Sequence, residues 1–106
     1  DAVVIVTEPT VAGIHDLKRV AELAEHFKVP AMICINKYDL NLKMTRDIEQ
    51  FAKNRQIQAL GRIPFDPVFT KAMIQARTVI EYGNGSRINT KIKEIWHRIE
   101  EGLGLY

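Results

Sequence analysis

The sequence has 106 residues, one domain's worth of chain, and its 46% hydrophobic and 26% charged residues suit a globular protein with a buried core. Its 15 basic and 13 acidic residues are interleaved to a net charge of +2, with no basic stripe carrying aromatics, so nothing favours nucleic-acid binding. No apolar run approaches the roughly 18 residues that cross a bilayer, and the single cysteine, Cys34, offers neither a disulfide nor a thiolate cluster; a reducing cytoplasm is the expected location.

Asp1-Ala2 leads straight into Val3–Val6, a continuous β-branched run that ends at the breakers Thr7-Glu8-Pro9-Thr10. Continuous rather than alternating apolarity marks a strand buried on both faces, as in a parallel sheet. A protein seldom begins inside a core strand, so the expectation is a segment of a longer protein. Residues 13–28 carry Leu17, Val20, Ala21, Ala24 and Phe27 on one helical stripe, with Lys18, Arg19, Glu22 and Glu25 off it. Pro30 is expected to end that helix by pushing the residue before it out of helical geometry.

Ala31–Ile35 is a second short apolar run, ending at Asn36. Thr45 is the expected N-cap of a helix bearing Ile48, Phe51 and Ala52. Residues 57–63 read as a third strand closed by Pro64, and 66–77 as a short helix with Pro67 in its first turn. Residues 78–86, containing Gly83 and Gly85, read as an irregular link. The last helix carries Ile88, Ile92, Ile95, Ile99 and Leu103 at helical spacing, takes Trp96 as core, and ends near Gly102 and Gly104. Strand and helix alternating three times predicts an α/β fold in three layers. It is a partial, doubly wound parallel sheet of about three strands with flanking helices, right-handed crossovers and an open edge.

Ligands of open α/β sheets bind beyond the carboxyl ends of the strands, and three such ends are visible: Thr7-Glu8-Pro9, Asn36-Lys37-Tyr38-Asp39 and Pro64-Phe65-Asp66. The amide of Asn36 suits a purine edge, since it both donates and accepts, and it equally suits a turn. Asp66 suits a ribose hydroxyl or an exocyclic amine, and also an N-cap for the helix at Pro67; both roles are compatible. Glu8 reads as a solvated loop carboxylate rather than a metal or partner contact. His15, His26 and His97 lie on separate elements without the partners of a metal site, and Cys34 reads as a small buried hydrophobe. The sequence contains no G-x-x-x-x-G-K-S/T, and no strand ends in an aspartate placed to hold magnesium. The segment by itself therefore carries no catalytic residues and is expected to be inactive.

The stretches "DAVVIVTEPTVAGIHDLKRV" (1–20), "VPAMICINKYDLN" (29–41) and "GRIPFDPVF" (61–69) together resemble the carboxyl-terminal half of the MinD/ParA/Mrp group of P-loop ATPases. The resemblance is strongest to MinD-superfamily members that carry an inserted ferredoxin domain. It implies half of a P-loop NTPase fold, with residues 1–106 forming one carboxyl-terminal piece of a nucleotide-binding domain whose Walker A half lies upstream. In that family the second stretch ends in the asparagine that reads adenine, here Asn36. The third is an I-P-x-D turn flanking base and ribose, here Pro64, Phe65 and Asp66. Lys37 and Asp39 then have no base-reading role. The parent would bind ATP and magnesium, act as a nucleotide-sandwich homodimer with the missing amino-terminal half in place, and carry a 4Fe-4S cluster in its insert, linking it to iron–sulfur chemistry. Two alternatives stand beside this: the carboxyl-terminal half of a GTPase reading guanine through Asn36-Lys37-Tyr38-Asp39, and a non-catalytic interaction module on the same scaffold.

Overall fold

The computed structural model describes residues 2–82 and 87–103. Three parallel strands lie side by side in the order β1 (Val3–Thr7), β2 (Ala31–Asn36), β3 (Gln58–Ile63). They form an open α/β sheet with flanking helices, as the alternating pattern predicts, an arrangement consistent with half of a P-loop fold. Successive side chains of a strand point to opposite faces, and this sorts the core into two clusters. On one face Ile5, Ile33 and Ile35 meet Leu17 of α1 (Val11–His26) and Ile48 and Ala52 of α2 (Leu42–Asn54). On the other, Met32, Cys34 and Leu60 meet Ile95 of α5 (Arg87–Gly102). Two short helices, α3 (Val68–Ile74) and α4 (Val79–Tyr82), precede α5.

The second layer covers only part of its face. Val4 and Val6 of β1 lie in register with Met32 and Cys34, on the α5 side, yet they are 39% and 65% exposed. On the far side of β2 the register shifts. Ala59 stands opposite Ile33 but Gly61 opposite Cys34, so Leu60 is an extra residue. One inserted residue moves every later side chain to the other face. Arg62 therefore faces the α2 side, opposite Ile35, and Ile63 turns to the α5 side, opposite Asn36. The bulge is built around Gly61, whose φ is +155° and where an added Cβ would come 3.2 Å from Ile95 Cγ1. Arg98 covers the bulge by donating to the carbonyl of Leu60.

Several local expectations are corrected. Thr45 is not a cap: α2 begins three residues earlier, and Asn41 caps it by accepting the Met44 N–H at 3.0 Å. Thr45 is fully buried inside the helix and donates its hydroxyl to the Tyr38 carbonyl at 2.8 Å. α1 starts at Val11 behind the cap Thr10 and stops well before Pro30. Its end is a left-handed turn at Lys28 (φ 57°), with the Val29 N–H bonding the Ala24 carbonyl at 2.9 Å. The buried stripe of α1 is Leu17, Ala21 and Ala24; Val20 and Phe27 are exposed. Val20 flanks the open edge of β1, where no described element packs. Trp96, expected in the core, is 58% exposed, because α5 buries Ile88, Asn89 and Ile95 on the adjacent strip and its outer face meets solvent. The link expected to be irregular contains α4, while residues 83–86 and 104 fall outside the described residues. No helix among the described residues is long and apolar enough to cross a membrane.

Candidate functional site

Parallel strands bring their carboxyl ends to one edge, and here the three ends are tied to one another. After Asn36 the chain turns through Lys37 in the left-handed region (φ 54°) into a 3-10 turn at Tyr38–Leu40. Lys37 Nζ reaches Glu8 Oε1 at 3.3 Å, joining the end of β2 to the end of β1. Asp39 Oδ1 accepts the backbone N–H of Phe65 at 2.8 Å, joining the end of β2 to the loop after β3. Glu8 is thus paired to a lysine rather than simply solvated. Contacts this exposed add about 0–1 kcal/mol each, so their effect is to hold geometry rather than to stabilise the fold.

The four residues expected at the site, Asn36, Pro64, Phe65 and Asp66, do come together. They line one pocket of about 400 Å³ with Lys37, and Phe69 and Met73 of α3 complete its wall. Asp66 makes the cap that was one of its two expected roles: its Oδ1 accepts the Val68 N–H at 2.9 Å. The Asn36 side chain closes no hydrogen-bonded turn among the described residues, so its amide is available at the pocket. Phe69 and Met73 were not singled out in the sequence. Their signal was the spacing of Phe69 and Met73, four residues apart, which puts two large apolar groups on one side of the short helix that follows Phe65. Apolar walls around a few directed polar groups are the usual make-up of a small-molecule site.

Below the pocket, Arg62 forms a two-pronged bond to Glu49 of α2, Nε to Oε2 at 2.8 Å and Nη2 to Oε1 at 2.6 Å, with its guanidinium 5.2 Å from the Tyr38 ring centre. The bond from Arg62 holds the Glu49 carboxyl below the usual carboxylate range; burial opposes this and the charges of Arg62 and Arg46 add to it. A lowered folded-state pKa contributes stability that is present above the unfolded glutamate value of about 4.3 and is lost as pH falls through the folded value. The stability difference between the protein and its Glu49→Gln variant, measured by urea denaturation, is therefore expected to be largest above about pH 5 and to shrink below about pH 4. A difference that stays constant over that window would contradict the assignment. The Cys34 thiol is buried and pushed up by that burial, the state of an unreactive core cysteine.

Such a pocket can hold a flat heteroaromatic ring against Pro64, Phe65 and Phe69 and read its edge with the Asn36 amide. Among the described residues, no three His, Cys, Asp or Glu side chains cluster as metal ligands would.

No family model matches the chain. It is 42% identical over 84 residues to an uncharacterised protein of Methanocaldococcus jannaschii, an alignment covering 79% of this chain and 27% of that protein. It is 33% identical over 54 residues to a nitrogenase iron protein of Methanococcus voltae, covering 51% of this chain and 19% of that protein. The chain thus matches about a quarter of the first relative's length and about a fifth of the second's.

Proposed function

We propose that this chain forms the adenine-side half of an ATP-binding domain of the MinD/ParA/Mrp type, within a longer cytoplasmic ATPase that works as a homodimer. The observation that carries the reading is the convergence of Asn36, Pro64, Phe65 and Asp66 on one pocket at the carboxyl edge of a parallel sheet. In this reading the Asn36 amide donates to a ring nitrogen of adenine and accepts from its exocyclic amine. Pro64, Phe65 and Phe69 enclose the ring faces. The Asp66 oxygen not engaged in capping Val68 accepts from the ribose. The triphosphate, its magnesium ion and the catalytic groups belong to the missing amino-terminal half, which would pair along the open edge of β1. The iron–sulfur link implied by the resemblance to ferredoxin-insert proteins accords with the similarity to a protein named for its iron. A 4Fe-4S cluster would sit in the parent's insert, outside this chain.

The test is nucleotide affinity in the full-length protein. Removing a buried base hydrogen bond costs about 1–3 kcal/mol, so Asn36→Ala is expected to weaken ATP binding roughly 5- to 150-fold and to erase its preference over GTP. An unchanged ATP preference in that variant overturns the assignment.

A further inference from the structure

We propose that Asp39 is a positioning residue that braces this base pocket and sets its width, rather than a group that reads guanine; the inference rests on the nucleotide reading above. Guanine presents two adjacent donors, N1–H and the 2-amino group, and a carboxylate reads them by placing both of its oxygens along that edge. Here one of the two oxygens, Oδ1, is committed to the Phe65 N–H at 2.8 Å, within the protein. Asn36 and Lys37 line the pocket, whereas Asp39 lies outside its lining, and the Lys37 ammonium is drawn aside to Glu8 at 3.3 Å. The tetrapeptide Asn36-Lys37-Tyr38-Asp39 thus works as a brace across the three strand ends, and the group it presents to a base is the Asn36 amide. A paired donor and acceptor matches adenine's adjacent amine and ring nitrogen. By anchoring Phe65, Asp39 also sets the distance between Asn36 on β2 and the Pro64–Asp66 wall, and so the width of the slot.

Two variants of the intact protein separate bracing from base reading. Asp39→Asn keeps an oxygen acceptor for the Phe65 N–H, and Asp39→Ala removes it. The readouts are amide hydrogen exchange at Phe65 and equilibrium binding of ATP, GTP and XTP. In Asp39→Asn, Phe65 is expected to stay protected, ATP to stay preferred and XTP to gain nothing. In Asp39→Ala, Phe65 is expected to exchange faster and ATP affinity to fall about three- to tenfold, the loss of one neutral-donor hydrogen bond, with no gain for GTP. A shift of preference from GTP to XTP in Asp39→Asn would show the carboxylate reading guanine and overturns the proposal, as does unchanged Phe65 exchange in Asp39→Ala. If the unmodified protein binds none of the three nucleotides, the nucleotide reading falls, while Phe65 exchange still reports the brace independently.

Discussion

Replacing Gly13 with alanine is expected to destabilise the protein by about 3 kcal/mol, the upper end of the usual range for overpacking. Gly13 lies in the first turn of α1, where its N–H bonds the Thr10 cap at 2.9 Å and its carbonyl accepts the Thr7 hydroxyl at 3.1 Å. A Cβ at this position would lie far inside van der Waals contact with the backbone carbonyl oxygen of Glu8, and 3.0 Å from Thr10 Oγ1. Helix propensity works the other way, favouring alanine over glycine by about 1 kcal/mol. The clash outweighs that gain because its partner is backbone at a strand end, which cannot swing away as a long side chain would. Relief would require α1 to lift off β1, loosening Leu17 from Ile5, or Glu8 to shift away from Lys37. In thermal unfolding the expected fall in midpoint is more than about 10 °C, taking roughly 4–8 °C per kcal/mol for a domain near this size. A change within about 2 °C would mean that Gly13 is placed for some other reason.

Leu60→Ala is the second large effect. Leu60 is 0% exposed and packs with Met32, Cys34 and Ile95 between β2, β3 and α5. Truncating a leucine this enclosed costs about 2–5 kcal/mol, the sum of lost transfer energy and an unfilled cavity. A loss of about 3–4 kcal/mol is expected here, because the neighbours that would have to collapse are held by strand pairing and by the bond from Arg98 to the Leu60 carbonyl. Leu60→Met, which nearly conserves volume, should cost less than about 1.5 kcal/mol. Urea denaturation measures both, and a loss below about 1 kcal/mol in the alanine variant would contradict the packing described.

The layered α/β architecture was legible because β2 is what its composition announced: Ile33 and Ile35 are buried on one face, Met32 and Cys34 on the other. β1 carries the same kind of apolar run, yet Val4 and Val6 are exposed. Apolarity states what a strand is suited to, not which neighbour covers it. The convergence of Asn36 with Pro64, Phe65 and Asp66 was legible for a topological reason, since parallel strands must present their carboxyl ends together. The ties from Lys37 to Glu8 and from Asp39 to Phe65 were not, because each joins loops brought together only by the finished sheet. The cap of α2 was misread because the 3-10 turn at Tyr38–Leu40 delivers the chain to Asn41, and Thr45, equally good in isolation, is drawn inward by the Tyr38 carbonyl. Periodicity located the stripe of α5 but not its breadth, so Trp96 was assigned to a core that the helix turns away from.

The extra residue at Leu60 gives β3 one change of length that its pairing with β2 can absorb. Deleting Leu60 itself would leave Gly61, Arg62 and Ile63 opposite Cys34, Ile35 and Asn36, on the faces they now occupy, at the expense of the side chain that fills the α5 side of the sheet. Deleting a second residue would move every later side chain to the other face, turning the Arg62 guanidinium toward the apolar side of α5 and Ile63 toward Glu49, and would draw the Pro64–Asp66 loop back by roughly 3.3 Å, away from Asn36. Substitutions along this strand are graded in their effects, whereas losses beyond that one residue are not. A sequence diverging from this one is free to vary in β3 by identity, and in length only where the bulge takes up the difference, if the two walls of the pocket are to meet.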